Sequence, residues 1–164
     1  MTVISLLTLK RGLLLFWAVW ASVVMLTNLF DALKALGVLP AGWGLASGNW
    51  DFLLETTARY ATPHWLIAIL FAGVIVWEFL TALAFWWALA AAVATGGFAP
   101  RPAITAFGLG AGLMAAFMVA DEVFIAYEVE STHLGLFTGL LVSLLVVLLL
   151  PDRIEGDPDA LPRR

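Results

Sequence analysis

Residues 65–94 read WLIAILFAGVIVWEFLTALAFWWALAAAVA and contain a single charged residue, Glu78. About 20 apolar residues, rising about 1.5 Å each, cross the hydrocarbon core of a bilayer, so this stretch is long enough to span a membrane. Glu78 lies roughly 20 Å from Trp65 along a helix, far from both ends of the span. An ionisable side chain at that depth is costly unless it faces other helices, water or a partner. The stretch therefore predicts a membrane helix that turns Glu78 inward, against further helices that cover it.

The whole chain is far more apolar than a soluble protein. Of its 164 residues, 63% are hydrophobic and 12% are charged, whereas a soluble domain is about half apolar and about a quarter charged. The composition indicates an integral membrane protein, and the length suits one domain. The chain has no cysteine, which excludes disulfides, thiolate metal sites and cysteine nucleophiles. No basic patch suits nucleic acid.

Three more apolar runs accompany this stretch. Together they predict four membrane spans, at about residues 13–30, 65–90, 103–122 and 134–150. We expect an all-α polytopic membrane protein, in which residues 1–151 form a four-transmembrane-helix bundle and residues 152–164 form a charged cytoplasmic tail.

The connections between the spans carry their own signals. In the longest, residues 34–63, Asn49 is placed to cap a short amphipathic helix that lies at the membrane surface between the first two spans. The face of that helix is formed by Trp50, Leu53, Leu54 and Thr57. Residues 95–102 predict a tight reversal, and residues 129–132 predict a short turn before the fourth span.

Basic residues are distributed unevenly about these spans. Four spans place both termini on one side of the membrane, together with six basic residues: Lys10, Arg11, Arg101, Arg153, Arg163 and Arg164. The other side carries Lys34 and Arg59. The positive-inside rule then predicts cytoplasmic termini, and we expect a multi-pass protein of the bacterial inner (cell) membrane.

Ionisable residues gather at the span ends on the outer side. Asp31 ends the first span, His64 starts the second, Asp121 and Glu122 end the third, and His133 starts the fourth. The four candidate ligands, one for each span, are Asp31, His64, Glu122 and His133. Imidazole and carboxylate groups suit zinc, copper or iron, so one interpretation is a divalent metal site with His64 and Glu122 as its best pair. The alternative is a rim that is polar only because water is there. Haem ligation by the two histidines is a weaker hypothesis because both lie at helix ends, and no spacing rule supports a quinone.

Two other polar residues of the spans are grouped with Glu78: Asn28 in the first span and Thr81 in the second. In one interpretation Glu78 is a protonated carboxyl group that is hydrogen-bonded to a neighbouring helix. In the other it relays protons or cations. The absence of a second acid at the same depth favours the structural interpretation.

Gly108 and Gly112 are four residues apart in the third span. Small residues at this spacing let helix backbones approach closely, so the pair predicts helix packing, either inside the bundle or against another chain.

Several short motifs resemble one family of bacterial proteins, described as predicted small integral membrane proteins. They are Asn28 with Asp31, Arg59 with Pro63 and His64, Trp77-Glu78 with Thr81-Ala82, and Glu122. The resemblance runs from the first span to the start of the fourth. It implies a four-helix membrane protein in which Asn28, Asp31, Glu78 and Glu122 act together, and it brings no known activity. The chain departs from the family at residues 123–133, where the family carries a tryptophan-rich stretch.

The functional hypotheses depend on which catalytic motifs the sequence lacks and which residues it offers for packing or binding. The sequence has no phosphate loop, no nucleophile elbow and no His-Glu-x-x-His helix, so it offers no catalytic set. The leading hypothesis is an accessory or structural subunit that binds other membrane-protein subunits or itself. The alternative is a metal- or redox-cofactor-binding protein with its site at the outer face. The third is a small proton-coupled carrier that uses Glu78.

Overall fold

The computed structural model describes residues 5–152, which contain five α-helices and no strand. The helices are α1 Leu6–Ala35, α2 Asn49–Thr57, α3 His64–Ala94, α4 Pro100–Phe124 and α5 Tyr127–Leu149. One turn of 3-10 helix, Ala58–Tyr60, follows α2. All but α2 are long and apolar enough to cross a membrane. The predicted all-α bundle of four membrane helices, with a short helix between the first two, is confirmed.

The first helix begins well before the predicted span. Ser5 caps α1 by accepting a hydrogen bond from the backbone N–H of Thr8, at 3.2 Å, so Lys10 and Arg11 lie inside the helix. Lys10 is nevertheless buried. Its charge is paired there, because its Nζ donates to Asp152 Oδ1 at 2.7 Å. We call this end of the bundle, where residues 5 and 152 lie, the terminal end, and the opposite end the α2 end.

Asp152 connects α1 to the loop that precedes α4, because it bonds both Lys10 and Phe98. Its Oδ2 accepts a hydrogen bond from the backbone N–H of Phe98, and Lys10 Nζ lies 4.8 Å from the centre of the Phe98 ring. The hydrogen bond from Lys10 is the main cause that holds the pKa of the Asp152 carboxyl below its ordinary value. The remainder of the predicted tail, residues 153–164, lies outside the described residues.

The reversal between α4 and α5 occurs earlier than the sequence predicts. Residues 129–132 belong to the first turns of α5, so the predicted turn there is wrong. The chain instead reverses at Ile125, which has a left-handed backbone with φ of 56°, and the Ala126 N–H bonds Asp121 O at 2.8 Å. This ends α4 and leaves Glu128 and Glu130 in the first turn of α5, where the helix dipole favours acidic side chains.

An aspartate of α1 holds α2 in place. Asp31 Oδ2 accepts hydrogen bonds from the backbone N–H of Trp50 at 2.7 Å and from Ser47 Oγ at 3.3 Å. The cap residue of α2 is Gly48, not Asn49 as predicted from the sequence. Asn49 is the first helical residue, and its side chain is free to reach into the bundle.

The helices pack in the order α1, α3, α4, α5, so α1 and α5 lie at the two ends of the row. These two helices meet around Trp17, whose indole Nε1 donates to Ser143 Oγ at 3.0 Å. The centre of the core is aromatic: Phe85 packs edge-on against Phe107 with ring centres 4.9 Å apart, and stacks with Trp17 at 6.3 Å.

Two glycines of α4 mark its closest approaches to other helices. A Cβ atom at Gly110 would lie 3.2 Å from Leu140 Cδ2, and one at Gly112 would lie 3.3 Å from Trp77 Cζ2. Gly108 is exposed, and a Cβ atom there would meet nothing within 4 Å. Gly112 therefore packs inside the bundle, whereas Gly108 faces away from it.

Candidate functional site

A cavity of about 250 Å³ lies between the four long helices, next to α2. Its walls are mostly apolar and include the aromatic side chains Trp17, Trp20, Phe52, Phe71, Phe85, Phe117 and Phe124. The polar side chains on its walls come from all five helices: Asn28, Asn49, Thr56, Thr57, Glu78, Thr81, Asp121, Thr132 and His133. α2 contributes one face to the cavity, formed by Asn49, Phe52, Leu53, Thr56 and Thr57. This short helix therefore covers the cavity as well as lying at the end of the bundle.

Glu78 lies on the cavity wall at the end of a chain of amide side chains. Its side chain is only 4% exposed, and its Oε1 accepts a hydrogen bond from Asn28 Nδ2 at 2.7 Å. Asn28 Oδ1 in turn accepts from Asn49 Nδ2 at 2.7 Å. Both amides thus donate towards the carboxyl group. Thr81 is buried nearby, but its hydroxyl donates to Trp77 O within α3, at 2.9 Å.

The second carboxyl oxygen of Glu78 is different. Within residues 5–152, Oε2 is buried and has no hydrogen-bond partner. Most buried polar atoms in proteins are paired, because an unpaired one forfeits its hydration without compensation. Because Glu78 also lines the apolar cavity, its carboxyl group is a place where a polar group of a ligand can bind after a small movement of the side chain.

A second polar pair lies on the cavity wall and joins α4 to α5. His133 Nδ1 and Asp121 Oδ2 are 2.6 Å apart, with side chains that are 21% and 7% exposed. The imidazole also packs against Phe117, with ring centres 5.0 Å apart. The sequence analysis favours Glu122 at this position, but successive residues of a helix project about 100° apart, and Glu122 is exposed.

The four predicted metal ligands occupy different surroundings. His64 and Glu122 are exposed, Asp31 caps α2, and His133 contacts Asp121. Among residues 5–152, no three His, Asp or Glu side chains form a group that could hold a metal ion. The structure brings together Asn28 and Glu78, and among residues 5–152 it does not gather three of the four predicted ligands into one group.

Three residues of this site have roles that the sequence does not reveal. Asn49 is predicted as a cap, and nothing in its surroundings indicates that its amide extends the hydrogen-bond chain from Asn28. Asp121 and Glu122 both end the third span, and the sequence does not show which of them faces His133, because the rotation of α4 about its axis depends on packing. Val74, which lines the cavity one turn before Glu78, is one apolar residue among many in its span.

Comparisons of the chain with protein-family models, with curated proteins and with solved structures found no match. The resemblance to the family of small integral membrane proteins stays a prediction, and function is inferred from the site itself.

Proposed function

We propose that this protein binds a small amphiphilic molecule inside the membrane, with a polar group of the ligand at Glu78 and its apolar part against the aromatic walls. The observation that carries the proposal is that Glu78 lines an apolar cavity and has a buried carboxyl oxygen, Oε2, with no hydrogen-bond partner among the described residues. Ligand sites in proteins are typically concave and mostly apolar, with a few polar groups that orient the ligand. The cavity has this composition.

The neighbouring contacts support a preformed site. Asn28 fixes one oxygen of Glu78, and Asn49 fixes Asn28, so the free oxygen has a defined direction. Asp31 holds α2, which carries Asn49 and covers the cavity. A preformed site binds more tightly because less side-chain freedom is lost on binding.

The proposal is tested with a substitution that fills the cavity and one that does not. Val74 lines the cavity, whereas Val76, on the same helix, is 58% exposed. The probe is bromophenylbutanol, whose bromine quenches tryptophan fluorescence, and Trp17 and Trp20 both line the cavity. We expect saturable quenching in the purified protein, a loss of at least tenfold in affinity in Val74→Phe, and no change in Val76→Phe.

Equal quenching in the two variants would mean that the probe reaches only the outer surface of the bundle, and the proposal would fail. Both variants must elute as folded protein of the same size, so that the comparison reports on the cavity. We also propose that the protein lies in the bacterial inner membrane, where membrane fractionation should recover it.

An accessory role in a larger membrane complex is a second proposal, favoured by one observation. Gly108 faces away from the bundle with open space around its Cα, and exposed glycines let another helix approach closely. Co-purification in mild detergent, with Gly108→Leu compared against Gly12→Leu on α1, is the measurement. Gly12 also has open space around it. A partner chain that only Gly108→Leu releases would support the role.

A further inference from the structure

The charges around the cavity are unbalanced. Among the described residues, no lysine or arginine lines the cavity. These basic residues lie towards the ends of the bundle instead: Lys10, Arg11 and Arg101 at the terminal end, and Lys34 and Arg59 at the α2 end. The cavity wall carries two carboxyl groups, Glu78 and Asp121, and one imidazole, His133, which is paired with Asp121. Glu78 therefore has no basic partner within residues 5–152.

The other titratable groups on the wall lie well away from Glu78. Trp77, the neighbour of Glu78 in α3, packs on Gly112 of α4, so Gly112 lies at about the level of Glu78. Asp121 is nine residues further along α4, roughly 13 Å from Gly112 along the helix axis. The side chains that α1 and α2 contribute to the wall carry no titratable group. A negative charge at Glu78 would thus be stabilised only by its hydrogen bonds or by a ligand.

The hydrogen bonds at Glu78 direct amide donors towards the carboxyl group. Asn49 donates to Asn28, and Asn28 donates to Glu78 Oε1. Hydrogen bonds in such a chain polarise one another, so both amide dipoles direct their positive ends towards the carboxyl group. Oε2 is left with its lone pairs free, which suits a positively charged group.

Aromatic rings lie on the same wall of the cavity as Glu78. Phe71 and Phe85 are seven residues before and after it, about two helical turns or roughly 10 Å along the axis each, so they share its face. Both are buried and line the cavity, and Trp17 stacks on Phe85. The rings can therefore contact the apolar substituents of a ligand whose charge lies at Glu78.

We infer that the ligand is an organic cation, an ammonium group with apolar substituents, whose positive charge pairs with the Glu78 carboxyl group and whose substituents contact the aromatic walls. This inference rests on the proposed function, because it names the chemical class of the molecule that the cavity binds. Opposite charges attract far more strongly in a low-dielectric cavity than in water, so Glu78 selects a cation over a neutral molecule of the same shape.

The test compares two probes with the same apolar body. Bromophenylbutyl-trimethylammonium carries a permanent charge that does not titrate, and bromophenylbutanol is its neutral counterpart. We expect the unaltered protein to bind the ammonium probe at least tenfold more tightly than the alcohol. Glu78→Gln should lose this preference, and its elution as monodisperse protein of the same size as the unaltered protein shows that the loss is not caused by misfolding. Val74→Phe should weaken both probes.

The outcomes distinguish failure of the ligand class, an organic cation, from failure of the proposed binding function. If both probes bind in a manner that Val74→Phe weakens, but the ammonium probe is no tighter or keeps its advantage in Glu78→Gln, the ligand class is wrong and the binding function stands. If neither probe responds to Val74→Phe, the binding function fails and the inference falls with it. A cation preference that disappears only in Glu78→Gln supports both.

Discussion

At the scale of the residue, the environment of Glu78 bears on both the folding of the protein and its proposed binding of a ligand. It is an acid far from both ends of a membrane helix, it is buried, and its environment offers a donor to one oxygen and nothing to the other. Such an environment tolerates a carboxyl or an amide group, and it has no acceptor in place for an ammonium group. The identity of the residue at this position should therefore control folding as well as binding.

We predict that Glu78→Gln is tolerated far better than Glu78→Lys. Glutamine keeps the volume of the side chain and an oxygen that can accept from Asn28, so we expect a loss of about 1 kcal/mol or less. Lysine places an unpaired cation beside the Asn28 amide group, and burial of such a charge costs about 3 kcal/mol or more. The measurement is the yield of monodisperse protein and its thermal unfolding in detergent. Equal losses in the two variants would contradict the buried position of Glu78.

The sequence predicts some of this site and not the rest. An isolated charge in a thirty-residue apolar run must turn inward, so the burial of Glu78 follows from the sequence alone. Which partners it meets depends on how each helix is rotated about its axis, and nearly featureless apolar helices do not reveal that rotation. This is why Asn28 was found, whereas Asp121 was passed over for Glu122 and Gly110 for Gly108.

At the scale of the element, α2 depends on a single side chain of α1. A nine-residue helix is too short to be stable alone in water. Its first turn is held by the carboxylate of Asp31, which accepts from the Trp50 N–H, and the Trp50 ring lies 6.1 Å from that of Phe71. The sequence predicts this helix from its polar and apolar pattern, but a cap supplied by a distant helix leaves no local signal.

We predict that Asp31→Ala loosens α2 from the cavity. Loss of a helix cap costs about 1 kcal/mol, which raises the open population about fivefold. Because the chain has no cysteine, a single cysteine can report the opening: Thr56→Cys on the cavity face, with Glu55→Cys on the exposed face as the control. Asp31→Ala should raise the maleimide reaction rate at position 56 about fivefold and leave position 55 unchanged. An unchanged rate at position 56 would show that α2 is held by other contacts.

At the scale of the whole molecule, the bundle has two unlike ends. Basic side chains at the terminal end make contacts within the bundle: Lys10 bonds Asp152, and Arg11 Nη2 donates to Ala92 O at 2.8 Å. The cavity lies towards the α2 end, under a short helix. The side of the membrane that α2 faces therefore matters for the direction from which a ligand arrives.

We predict that the terminal end faces the cytoplasm. The sequence places six basic residues on that side and two on the other, although Arg153, Arg163 and Arg164 lie outside the described residues. The ion pair between Lys10 and Asp152 does not cancel this bias, because the rule depends on lysine and arginine and acidic residues contribute little. The α2 end, with Gly44 in the preceding loop, should then face outward.

Single cysteines at Gly44 and Gly97 can measure this orientation directly. A Cβ atom at Gly44 would meet nothing within 4 Å, and one at Gly97 would meet only Asp152 Oδ2 at 3.6 Å, so both substitutions fit. In intact cells, a membrane-impermeant maleimide should label Gly44→Cys and should label Gly97→Cys only after permeabilisation. The reverse pattern would place α2 and the cavity towards the cytoplasm. A cationic ligand would then reach Glu78 from inside the cell, drawn from the cytoplasm and not from the outer medium.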